Sequence, residues 1–162
     1  MSDLSIPTYG SADSGSVSPI DFEPLAGSVI VLAYDNVGEV GGVSIEAREL
    51  RNDRGGVSRG ALAGVKQDEY RSNNSFIKAE ELPELLKAFS ALLAVNSNPT
   101  KFSNFEVKYK THEDFEIIAF NSRNGISYVV RSGTAQVFLQ RQHLLRIVEM
   151  LNVVWKKIES LQ

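Results

Sequence analysis

The segment Phe76–Phe89, FIKAEELPELLKAF, decides the predicted fold, because Phe138–Leu151, FLQRQHLLRIVEML, repeats its pattern 62 residues later. In both segments a few strand-type residues lead into apolar positions spaced three and four apart, the spacing of one helix face. With the same shift, residues 44–48 fall on 106–110, apolar on apolar. We interpret the two segments as the strand-to-helix junctions of an internal repeat, with chance similarity as the alternative.

Each junction follows three further strand-type segments that turn residues separate. In the first half the predicted strands are Ser28–Tyr34, Val43–Leu50, Val57–Gln67 and Ser75–Lys78, and a helix follows over Glu80–Val95. In the second half they are Phe105–Lys110, Phe115–Phe120, Ile126–Arg131 and Gln136–Gln140, with a helix over Arg141–Glu159. The sequence predicts an α+β protein of two tandem β-β-β-β-α units with antiparallel sheets, each with a C-terminal helix, related by a pseudo-twofold. Each sheet is expected to be covered on one face by its own helix.

The chain is expected to hold one compact folded domain preceded by a tail. Residues 1–26 are rich in Ser, Gly, Pro and Asp, contain four acidic and no basic residues, and show no apolar period. This composition predicts a disordered acidic tail, serving either solubility or partner binding. The two units are predicted over residues 27–96 and 97–162.

Composition and charge narrow the classes of function. The chain has no cysteine, which excludes disulfides, thiolate metal sites and cysteine nucleophiles. Its start has no signal-peptide pattern, and no run approaches the roughly 18 apolar residues of a membrane span, so a soluble cytoplasmic protein is expected. The net charge of −3 argues against a polyanionic partner. However, the residues after the tail include 17 basic and 16 acidic ones, which weakens that objection.

Motifs for catalysis are sparse. The sequence His112-Glu113-Asp114 forms a predicted turn, in which three consecutive side chains point in different directions. His143 has no second histidine at a metal-ligand spacing. No nucleophile arrangement is recognised. We therefore predict a non-enzymatic protein with no cofactor and no metal.

The doubled strand-strand-strand-strand-helix unit resembles the single-stranded-DNA-binding transcriptional regulator fold. That group includes positive cofactor 4, whose one-unit chains dimerise, and the plant Whirly proteins, which carry two units per chain. The resemblance spans roughly residues 28–160 and rests on element order and length, so no family binding residue is transferred. It implies a transcription-associated role, with single-stranded nucleic acid held on the sheet faces of a homo-oligomer.

Nucleic acid on a sheet face needs cations for phosphates and flat rings for stacking. The second half offers both kinds of residue, and the candidates are Lys108, Lys110, Arg123 and Arg131 with the rings of Tyr109, Phe120 and Tyr128. Strand alternation places Lys108 and Lys110 opposite Tyr109, so a stacking ring must come from a neighbouring strand. The alternative is a solvated strand face over an aromatic core.

Two further candidates, Arg54 and Arg59, flank Gly55-Gly56 in the first half. Arginine forks can clamp a phosphate, but the carboxylates interleaved along this hairpin make local salt bridges the alternative. The expected function is thus a binding protein for single-stranded nucleic acid. A protein-interaction or assembly module without nucleic-acid binding is the other candidate.

Overall fold

The structure, a computed structural model, describes residues 26–162. It contains two four-stranded antiparallel sheets, each a simple meander followed by a helix, and this confirms the predicted α+β class and tandem units. Sheet 1 consists of β1 (Ile30–Val40), β2 (Val43–Asn52), β3 (Val57–Lys66) and β4 (Ser72–Lys78). Sheet 2 consists of β5 (Glu106–Lys110), β6 (Phe115–Ser122), β7 (Gly125–Ser132) and β8 (Ala135–Leu139). The helices are α1 (Leu82–Leu93) and α2 (Arg141–Ser160). The predicted tail lies outside the described residues, apart from Ala26.

Strand β1 is longer than the sequence indicates. Residues 36–42 lie between the first two predicted strands, but β1 continues through this stretch to Val40. A β-bulge between Asn36 and Gly38 shifts the register and lets the pairing with β2 continue. The reversal is confined to Gly41 and Gly42, whose φ angles of 59° and 90° lie where residues with a side chain are strained.

Helix α1 begins as its sequence predicts. A 3-10 turn at Ala79–Glu81 leads directly into it, and Pro83 falls in the first turn, where its missing N–H leaves no broken helix bond. A Glu81 carboxylate oxygen accepts the Lys78 backbone N–H at 3.2 Å. The buried side chains of the helix follow the predicted apolar face and are Leu82, Leu85, Phe89 and Leu92.

Both sheets and both helices contribute to one core. Alternate residues of each strand point into it, as the two-residue period of a strand requires. The buried serines Ser75 of β4 and Ser132 of β7 meet inside it, with their hydroxyl oxygens 2.6 Å apart. One hydroxyl donates and the other accepts, so this polar pair joins the two sheets and gives each buried oxygen a hydrogen-bond partner.

The helices are exchanged between the units. Helix α2 packs on β1, β2 and β3 of sheet 1, while α1 contacts β5 and β6 of sheet 2. The expectation that each helix covers its own sheet is therefore wrong. Only the three-residue 3-10 turn separates β4 from α1, and only Gln140 separates β8 from α2.

Reciprocal contacts accompany this exchange. The β1–β2 turn lies against the start of α2, where a Cβ added at Gly41 would stand 2.5 Å from Leu139 Cδ2. The β5–β6 turn lies at the start of α1, where the His112 backbone N–H donates to Glu81 Oε1 at 3.0 Å. Each unit thus holds the beginning of the other unit's helix. The pseudo-twofold relation itself stays a prediction.

Candidate binding face

The surface of sheet 2 that points away from the core is called here the outer face of sheet 2. Register and alternation define it, because paired residues share a face and neighbours along a strand do not. Its three cross-strand rows are Glu106, Phe120 and Ser127; Lys108, Ile118, Val129 and Phe138; and Lys110, Glu116, Arg131 and Gln136. The alternating residues Phe115, Ile117, Ala119 and Val130 belong to the core.

Two aromatic rings lie on this face, Phe120 on β6 and Phe138 on the edge strand β8. Phe138 is 70% exposed, an unusual position for a ring of that size. It meets Phe120 edge to face, with centroids 6.4 Å apart and planes at 79°. Ile118 and Val129, on the two central strands, are buried, although they also point outward from the sheet. The centre of the face is therefore apolar, and one accessible ring lies at its β8 edge.

Three of the predicted cations lie on the same face, Lys108 and Lys110 on the opposite edge strand β5 and Arg131 on β7, and each has a carboxylate beside it. Lys108 Nζ lies 3.0 Å from Glu106 Oε1, and Arg131 Nη1 lies 3.0 Å from Glu116 Oε1. Lys110 Nζ lies 3.3 Å from Asp114 Oδ1. Both side chains of the two lysine pairs are largely exposed, so water screens their attraction and each pair contributes little to stability. The cations gather on one face without giving it a strong net charge.

The two predicted tyrosines do not reach this face. Tyr128 is only 2% exposed and belongs to the core. Tyr109 is half-buried on the inner side of β5, opposite Lys108 and Lys110, as the alternation predicts. Burial, with the nearby Glu84 and Glu81 carboxylates, raises the pKa of the Tyr109 hydroxyl. The accessible ring of this face belongs instead to Phe138 of β8, which was not among the residues predicted from the sequence.

The remaining predicted cations lie elsewhere. Arg123 is exposed in the β6–β7 turn, at one end of the outer face of sheet 2. Arg54 is in the β2–β3 turn. Arg59 points to the inner side of sheet 1, where its Nε lies 2.5 Å from Glu49 Oε2. The structure therefore does not bring Arg59 together with the cations of the second half.

Glu49 organises the arginines at this end of sheet 1. Its other oxygen accepts a hydrogen bond from Arg51 Nε at 2.8 Å, and the three side chains line a cavity of about 360 Å³. The Arg51 and Arg59 guanidinium groups hold the pKa of the Glu49 carboxyl below its usual range. Arg59 therefore forms a local salt bridge, which was the alternative to phosphate binding for this hairpin.

We expect Glu49→Gln to lower the free energy of unfolding at about pH 7 and to have less effect at about pH 3. Because folding lowers the pKa, the contribution is complete above the usual glutamate value of about 4.3 and is lost as pH falls through the folded value. Urea denaturation at both pH values measures the difference. Glu106→Gln, in an exposed pair, is the control with little effect. An effect of Glu49→Gln that does not change with pH would contradict this assignment.

The histidines have structural partners. His143 Nδ1 accepts the Gln140 backbone N–H at 3.0 Å and so helps to start α2. His112 lines a cavity of about 510 Å³ with Glu80, Glu81, Glu84 and Tyr109. Among residues 26–162, no three histidine, aspartate or glutamate side chains are grouped so that they could hold a metal ion. Neither helix in this range combines the length and apolar character that crossing a membrane requires.

Comparison of the chain with protein-family models, with curated proteins and with solved structures gives no match. The candidate site therefore rests on the geometry of sheet 2 alone.

Proposed function

We propose that the chain is a non-enzymatic binding protein that holds single-stranded nucleic acid across the outer face of sheet 2. The observation that carries the proposal is the accessible ring of Phe138, packed on Phe120, on a face that also carries three cations. Single-stranded nucleic acid is bound by this combination, since bases stack on rings while lysine and arginine contact phosphates.

Each residue has a specific part in this proposal. Phe138 stacks a base, and Phe120 supports its ring from the edge. Arg131, on the neighbouring strand β7, contacts a phosphate next to the stacked base. Lys108 and Lys110 contact phosphates further across the face on β5, and Arg123 extends the path at the hairpin end. Phosphates can replace Glu106 and Asp114 beside the two lysines at small cost, because these ion pairs are exposed and weak.

A protein partner is the second candidate, and the carboxylates favour it. Glu106, Glu116 and Asp114 give the face as many acidic as basic groups, whereas nucleic-acid sites carry an excess of cations. An apolar centre with a polar, charged rim is also the arrangement of many protein interfaces. The two candidates share the same face and differ in the effect expected of its carboxylates.

Titration of a labelled single-stranded oligonucleotide at two salt concentrations tests the proposal. Phe138→Ala is expected to weaken binding roughly 5- to 150-fold, because stacking contributes about 1–3 kcal/mol per base. Tyr70→Ala removes a ring that is 93% exposed in the turn between β3 and β4, and is expected to leave affinity unchanged. Affinity should also fall with salt, as phosphate contacts require.

The carboxylates separate the two candidates. Glu106→Gln combined with Glu116→Gln removes the negative charges beside Lys108 and Arg131, so binding of the oligonucleotide should tighten and its salt dependence should steepen. Absence of oligonucleotide binding at micromolar protein and low salt, in both the wild type and this double variant, would overturn the nucleic-acid proposal and leave the protein partner.

A further inference from the structure

Within residues 26–162, β1 is an edge strand without a covering segment. It is at the end of sheet 1, and β2 is its only pairing partner among the strands in this range. Over residues 30–35 its side chains are exposed or only partly covered on both faces, and Val31, Leu32 and Tyr34 are 45–57% exposed. Edge strands usually carry lysine, proline or an inward charge that prevents pairing with another chain. The sequence IVLAYD of this stretch contains no lysine and no proline.

The one charged residue of the stretch is neutralised within the chain. The Asp35 carboxylate forms an ion pair with the Lys157 ammonium group of α2. The bulge lies further along, between Asn36 and Gly38, and leaves residues 30–35 in regular register with β2. A second strand added here therefore meets a strand edge with regular register and little charge. The outward-facing backbone N–H and C=O groups of this edge can pair with that strand.

We propose that this edge pairs with the same edge of a second copy of the chain, antiparallel and around a twofold axis near Leu32. The apolar stretch is complementary to itself, which favours a second copy, and its charge pattern favours this direction. Centred on Leu32, antiparallel pairing sets Val31 opposite Ala33 and Ile30 opposite Tyr34, and it sets Asp35 opposite the uncharged Val29. Parallel pairing would set Asp35 against Asp35, and like charges directly opposite each other are destabilising.

A neighbouring apolar side chain widens the contact. Leu161, exposed at the end of α2, lines the same cavity as Ala33. The twofold contact is isologous, so each copy contributes the same patch. It joins the two first sheets into one eight-stranded sheet and does not involve the outer face of sheet 2.

Sedimentation of the purified protein over a range of concentrations tests the pairing. The wild type is expected to form a dimer, and Leu32→Lys to raise the dimer dissociation constant at least about tenfold, because it places two lysines at the twofold axis. Tyr70→Lys adds the same charge at an exposed position away from β1 and should dimerise like the wild type. Circular dichroism verifies that each variant is folded.

A cysteine cross-link gives a second readout that does not depend on weakening the dimer. Because the chain has no cysteine, Leu32→Cys carries a single thiol that faces its own copy across the axis. Mild oxidation should link this variant into a reducible dimer, and Tyr70→Cys should stay largely unlinked. A wild type that remains monomeric at about 100 μM, or equal cross-linking of the two cysteine variants, overturns the proposal.

Discussion

Residues 26–96 expressed alone are expected to remain unfolded, although they contain every strand of sheet 1 and the whole of α1. The helix that covers β1, β2 and β3 is α2, which lies in the other half of the chain. Without it, the apolar inner face of sheet 1 is exposed to water, and α1 has no sheet 2 to pack on. A four-stranded meander needs such a covering layer for independent stability.

Mixing this fragment with residues 97–162 is expected to restore the fold. Circular dichroism and amide-proton dispersion in NMR spectra of each fragment and of the equimolar mixture measure the effect. If each helix instead stabilised its own sheet, both fragments would fold separately and mixing would change nothing. Cooperative unfolding of the isolated 26–96 fragment would therefore contradict the exchanged arrangement.

Phe89→Ala is expected to lower the free energy of unfolding by about 3–5 kcal/mol, since it removes a fully buried ring from the shared core. Phe89 is on the buried face of α1, which contacts both α2 and sheet 2. The loss would be a large part of the roughly 5–15 kcal/mol that stabilises a typical domain.

Leu145→Ala provides the matched control for that substitution. Leu145 is on α2 but is 45% exposed, so its truncation should cost far less than that of Phe89, at most about 1 kcal/mol. Urea denaturation of both variants measures the difference. A similar small effect for Phe89→Ala would show that α1 is not packed into the core as described.

Most of the fold could be predicted from the sequence because its local patterns agree. The helix over residues 80–95 is confirmed within a few residues, and all eight predicted strands are found. The exchange of the helices could not be predicted in this way. The apolar face of α2 shows that the helix is buried on one side, but the same face suits either sheet. The choice depends on the packing of the whole core.

The candidate face was predicted only in part. Lys108 and Lys110 could be assigned to one side because β5 alternates cleanly between polar and apolar residues. Strands β6 and β7 are apolar on both sides, so alternation gave no basis for placing Tyr128, which points inward. Phe138 could have been found from its flanking residues, since Val137 and Leu139 both suit the core and leave the ring between them facing solvent.

The exchanged helices also have a consequence for synthesis on the ribosome. Sheet 1 is complete at Lys78, but α2 begins only at Arg141, about 60 residues later. At a synthesis rate of about 5–20 residues per second, the apolar inner face of sheet 1 remains uncovered for several seconds until α2 is made. During that interval the nascent chain exposes both this face and the edge of β1, so a chaperone that binds extended apolar segments has its best opportunity before α2 emerges.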